Sequence, residues 1–164
     1  MSPAEPQSYR EVAVVGVRVD LPSKQPLVLL EEVDSDRRLP VWIGVAEAQA
    51  IAGYLQGWTS SRPLTHELLI ATVAALGARV EGVRIVSVEG TVFAARLDLG
   101  GGRVIDARAS DAIAVSLVAE VPLLVSDTVL EEAGVVPEGE DAAPEEQVEE
   151  FRHFLEEIDP SDFG

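Results

Sequence analysis

Cysteine is absent from this 164-residue chain. That absence excludes disulfides and thiolate metal sites, and it fits a reducing compartment. Aromatic residues are few, 5% of the total, and they form no interleaved pattern with arginine, so a stacking platform for single-stranded nucleic acid is not expected. Long apolar runs are missing too. The longest charge-free stretches, such as "LLIATVAALGA", fall well short of a membrane span, and the opening "MSPAEPQSYR" contains no apolar core of a signal peptide. A soluble, cytoplasmic protein is the expectation. No G-x-S-x-G, H-E-x-x-H or C-x-x-C occurs, and the "GGG" at 100–102 is not followed by the lysine and helix of a phosphate loop.

Positive charge is the other shortage. The formal net charge is −17, but it is unevenly spread. From Asp127 onward there are 14 acidic residues and one basic residue, Arg152, whereas residues 1–126 hold 15 acidic and 11 basic residues. The acidity therefore belongs mainly to the C-terminal part. Even the remainder has no basic surplus, so phosphate binding would need metal ions or a local group of arginines to reverse the sign.

What is present is a chain that can fold, with 47% apolar residues and a length suited to one domain. The first ten residues read as a loose leader. β-Branched runs predict strands at "EVAVVGVRVDL", "PLVLLEEV", "LPVWIG", "VEGVRIVSV", "TVFAARLDL", "RVIDARA" and "PLLVS". Glu89-Gly90 is the expected hairpin turn between the fourth and fifth of these. Three helices are expected. "VAEAQAIAGYLQG" has an apolar spacing of Ala46, Ala50, Ile51, Tyr54 and Leu55 and a stop at Gly57. "THELLIATVAALG" is expected to be capped by Thr65, to bury Leu68, Leu69, Val73 and Leu76, and to end at Gly77. "SDAIAVSLVAE" completes the set. Strands interleaved with single helices predict an α+β domain with a mixed β-sheet over residues 11–136. An acidic linker then covers 137–144. Residues 145–164 read as a C-terminal amphipathic helix and tail, because Val148, Phe151, Leu155 and Ile158 make one apolar stripe on an acidic background.

Three clusters carry candidate chemistry. In "DARASDAIAV", Ser110 is a natural N-cap and Asp111 complements the positive end of a helix dipole, which local capping alone explains. Asp106 and Arg108 are not so explained. They point to one side of an alternating strand beside a helix N-terminus, where an anion can bind, and Asp106 with Asp111 can hold a divalent ion. In "RPLTHE", His66 and Glu67 open a helix behind Pro63 and Thr65; they read equally as a solvated first turn or as a metal ligand and general base. Glu47, in the first turn after "PVWIG", is explained by the dipole unless the fold brings it to the other two. His153, on the acidic terminal segment, is expected at the surface.

The stretches "LPVWIG", "RPLTHE" and "DARASDAIA", in this order and closed by "EEFRHFLEEIDPSDF", resemble the bifunctional nuclease family, also called the DNase/RNase domain family, over about residues 11–163. The closing segment is similar to that of actinobacterial members. The resemblance implies an α+β domain that assembles into homo-oligomers and cleaves both DNA and RNA. Its matching positions are Glu47, Arg62, Thr65, His66, Glu67, Asp106, Arg108, Ser110 and Asp111. Three positions depart from the family pattern: Ala109 stands for a proline, Glu67 for an aspartate, and Ala94 for the second of two aromatic residues.

Two functions follow as expectations. The first is a metal-assisted nuclease, a hydrolase in which Glu47, Glu67, Asp106 and Asp111 hold Mg²⁺ or Mn²⁺. His66 would be base or ligand, Arg62 or Arg108 would stabilise the transition state, and Arg62, Thr65, Arg108 and Ser110 would contact phosphate. The second is a non-catalytic oligomeric binding or regulatory module, whose acidic C-terminal helix mediates assembly or docking.

Overall fold

The computed structural model describes residues 7–137. Seven strands and four helices follow one another as β1 (Tyr9–Asp20), β2 (Gln25–Glu32), β3 (Arg38–Trp42), α1 (Val45–Leu55), α2 (Thr65–Ala75), β4 (Gly82–Glu89), β5 (Val92–Asp98), β6 (Val104–Arg108), α3 (Ala109–Ala119), β7 (Leu123–Ser126) and α4 (Asp127–Ala133). The strands form one sheet in the order β3-β2-β1-β7-β4-β5-β6. Every neighbouring pair is antiparallel except β4–β7, which is parallel. The fold is thus α+β with a mixed sheet. None of the helices among the described residues is long and apolar enough to cross a membrane.

Strand register explains which face is buried. Val12 pairs with Leu123, Val83 with Leu123 and Leu97, and Ile85 with Val125 and Ala95, so their side chains share one side of the sheet. On β2 and β3, Val28 meets Val41 and Leu30 meets Leu39 on that same side. These residues form the core with Ala48 and Ile51 of α1, Ala112, Ile113 and Val115 of α3, and Val129 and Leu130 of α4. Full burial of each of these valine, leucine and isoleucine side chains contributes about 1.5–3 kcal/mol. Bulges at Val14/Gly16 and Ile85/Ser87 shift the register without turning the apolar side outward.

Several local expectations need correction. The turn of the β4–β5 hairpin is Gly90-Thr91, one residue later than expected, with Gly90 at a φ of 60°. The N-cap of α3 is Arg108 and not Ser110, which lies buried inside the first turn. The N-cap of α2 is Leu64, and Thr65 is already helical. On α1 the buried face is Ala48, Ile51 and Ala52; Ala46 and Leu55 are exposed. The largest difference concerns α2, none of whose residues is buried. Leu68 and Leu76 are 56% and 80% exposed, against the expected buried stripe. This sequence is apolar on all sides, so its spacing could not choose a face. The predicted stops do hold: Gly57 and Gly77 have φ of 70° and 77°, and each ends its helix. The linker, the terminal stripe and His153 lie outside the described residues.

Candidate functional site

The first turns of α1, α2 and α3 meet at one end of the domain, where Arg108 leaves β6. Each of these turns carries a carboxylate at its third residue: Glu47, Glu67 and Asp111. All three complement their helix dipoles, as capping chemistry requires. They differ in what else they touch.

Arg108 joins two of them. Its Nε and Nη2 donate to the Asp111 carboxylate at 2.8 and 3.1 Å, and Nη2 also reaches Glu47 Oε1 at 2.9 Å. The guanidinium is held on one edge by two acids from two helices, yet the side chain remains 67% exposed. Those acids raise its pKa further, Asp111 through its hydrogen bond before Glu47. Asp111 itself is lowered. Burial pushes it up, but the hydrogen bonds from Arg108 and His66 together outweigh burial.

His66 extends this chain into the protein. Its Nε2 lies 3.3 Å from Asp111 Oδ1 and its Nδ1 3.2 Å from the Tyr54 hydroxyl. Because a carboxylate only accepts, Nε2 donates to Asp111, and the Tyr54 hydroxyl is placed to donate to Nδ1. The Tyr54 ring meets the imidazole edge-on with centroids 5.8 Å apart. Burial, and then the charge of Glu67, raise the Tyr54 pKa. The result is a continuous line of polar groups, Tyr54–His66–Asp111–Arg108–Glu47, drawn from four elements. Tyr54 was not singled out as a site residue from the sequence, where it counts as part of an apolar spacing. Its signal was available: it stands seven residues after Glu47, two helical turns along the same face.

The remaining expected residues do not join this line. Glu67 turns back to accept the Leu64 N–H at 2.6 Å. Asp106 lies on the same side of β6 as Arg108, as expected, but pairs with Arg96 across the β5–β6 ladder at 3.0 Å and is 85% exposed. Arg62 is exposed in the loop before α2, and Thr65 is exposed at its start. Ser110 is buried beneath the first turn of α3. The expected convergence of four carboxylates is therefore corrected to two, Glu47 and Asp111, with a guanidinium between them.

This arrangement does not suit Mg²⁺ or Mn²⁺. Among the described residues no group of three or more His, Asp or Glu side chains is placed to hold a metal. Arg108 occupies the position between Glu47 and Asp111 where an ion would sit, and Asp106 and Glu67 are engaged elsewhere.

The bifunctional nuclease domain matches residues 28–138, which include every member of the polar line. The chain belongs to the bifunctional nuclease domain family. Two relatives from strains of Mycobacterium tuberculosis, "Uncharacterized protein Rv1829" and "Uncharacterized protein MT1877", are each 43% identical over 159 residues, covering 93% of this chain and 97% of the relative. The family match starts within β2, so β1 and most of the acidic C-terminal segment lie outside it, while the similarity to the mycobacterial relatives spans nearly the whole chain.

Proposed function

We propose that the protein hydrolyses phosphodiester bonds of nucleic acid at the Tyr54–His66–Asp111–Arg108–Glu47 line. One observation carries this reading. Arg108 is fixed by two carboxylates where helix N-termini meet, while its Nη1 has no hydrogen-bond partner among the described residues. A rigid guanidinium edge next to helix N-termini is suited to a phosphate oxygen and to the charge that develops on it. Asp111 orients His66 through Nε2. A water that displaces the Tyr54 hydroxyl from Nδ1 would give its proton to that nitrogen as its oxygen attacks phosphorus. The P–O bond to the leaving strand then breaks, and that oxygen takes up the proton that His66 accepted, which returns the imidazole to its starting form. Arg62, exposed at the neighbouring loop, would take an adjacent phosphate. This sequence of steps uses no metal ion. DNA and RNA are both substrates under this reading, because the nucleophile is water and not a ribose hydroxyl.

The test is cleavage of a labelled single strand by the purified protein, with a chelator present and with His66→Gln. Activity that persists in chelator and falls by about 100-fold or more in the variant is expected, the size of a general-base contribution. Equal activity in His66→Gln would end this reading. A second reading, a non-catalytic binding module, is favoured by the exposed Leu64, Leu68 and Leu69, which lie outside the groove beside α2, and predicts binding without turnover.

A further inference from the structure

Helix α2 is a poor fit to its own surroundings. From Thr65 to Ala78 its sequence carries one formal charge, Glu67, yet Leu64, Leu68, Leu69 and Leu76 are all exposed. Beside it runs an open groove of about 630 Å³, lined by Ile70 and Ala74 of α2, Val80, Val118 of α3 and Val121 just after it, with the Arg79–Glu81 ion pair also in its wall. An apolar surface of this kind on a folded chain marks a docking site.

We propose that residues 146–158 of the same chain occupy this groove, placing Val148, Phe151, Leu155 and Ile158 against it. Two features of the chain fit this occupant. The stripe repeats at helical spacing and needs a partner surface, and α2 offers an apolar one of matching length: 13 residues span about 20 Å as a helix, and the 11 of α2 about 16 Å. Finally, the chain reaches. The stretch from Pro137 to Val148 can extend about 35 Å, the diameter of a compact domain of this size. The proposal is independent of the nuclease reading.

The absence of cysteine makes a direct test possible in the full-length protein. In an Ala74→Cys/Leu155→Cys variant, mild oxidation is expected to give an intramolecular disulfide in most chains, seen as a faster-migrating monomer on a non-reducing gel. Ala74 is exposed, so the change is benign to folding. An Ala94→Cys/Leu155→Cys pair, with Ala94 on the exposed side of β5, is expected to stay uncross-linked. Adding Phe151→Asp to the first pair is expected to reduce cross-linking at least 10-fold. A covalent dimer in place of the cross-linked monomer would assign the groove to a second copy and overturn the proposal. So would an absence of cross-linking at position 74, or equal cross-linking at position 94.

Discussion

Arg108 shows how one residue can serve structure and chemistry together. Pairing with Glu47 and Asp111 ties α1 to α3, so Arg108→Ala leaves two partly buried carboxylates facing each other, and a loss of about 1–2 kcal/mol is expected in urea denaturation. A second charge pair is wholly structural. Glu32 is buried at the end of β2 and accepts from Arg37 at 3.0 Å and from the Ser35 hydroxyl at 2.8 Å. The Arg37 hydrogen bond lowers its pKa against the opposing effect of burial. A carboxyl whose folded pKa is depressed contributes stability above its unfolded value of about 4.5, and this is lost as pH falls through the lower folded value. Asp111 behaves alike. Urea midpoints measured from pH 7 down to pH 3 should therefore fall more steeply for the wild type than for Glu32→Gln, with parallel curves contradicting the assignment. At this scale the sequence was informative about residue type and blind to partnership. Glu47, His66, Arg108 and Asp111 were all visible as candidates. That Arg96 would claim Asp106, or that a backbone N–H would claim Glu67, depends on strand register and helix start, which spacing does not specify to one residue.

Among elements, α2 and α3 make a useful contrast because their sequences look alike. Both are short and apolar, but α3 packs against α1, α2 and the strands β4, β5 and β6, whereas α2 touches chiefly α3. Ile113→Ala in α3 should cost about 3 kcal/mol through lost burial and a cavity. Leu68→Ala in α2 should stay within about 1 kcal/mol, a value that includes any contact with the terminal segment. Thermal unfolding of the two variants decides this, and equal losses would show that Leu68 is buried in solution. The strands were legible because β-branched runs alternate with turn residues, and the order of elements followed directly. The exposure of α2 was not, since a helix apolar all round gives no sign of which side meets the core.

For the whole molecule, the sheet acts as a frame that sets three helix N-termini side by side, and the acidity lies mostly beyond it. Nucleic-acid binding by such a protein should depend weakly on salt. With Arg108 and Arg62 as the phosphate contacts, the logarithm of affinity for a single strand should fall against the logarithm of salt with a slope of about −1.4. A slope steeper than about −4 would mean a basic surface that the described residues do not contain. The convergence of α1, α2 and α3 was beyond reach from sequence, because it joins positions 47, 66 and 111 through contacts that no local pattern records. The central claim is that the guanidinium at that meeting point receives the scissile phosphate. Its most direct test is kcat/KM for cleavage of a labelled single strand by wild type, Arg108→Ala and Asp106→Asn, each checked for folding. The account predicts a loss of about 100-fold or more for Arg108→Ala and a change within about threefold for Asp106→Asn. Cleavage by Arg108→Ala at the wild-type rate, or a collapse confined to Asp106→Asn, would contradict it.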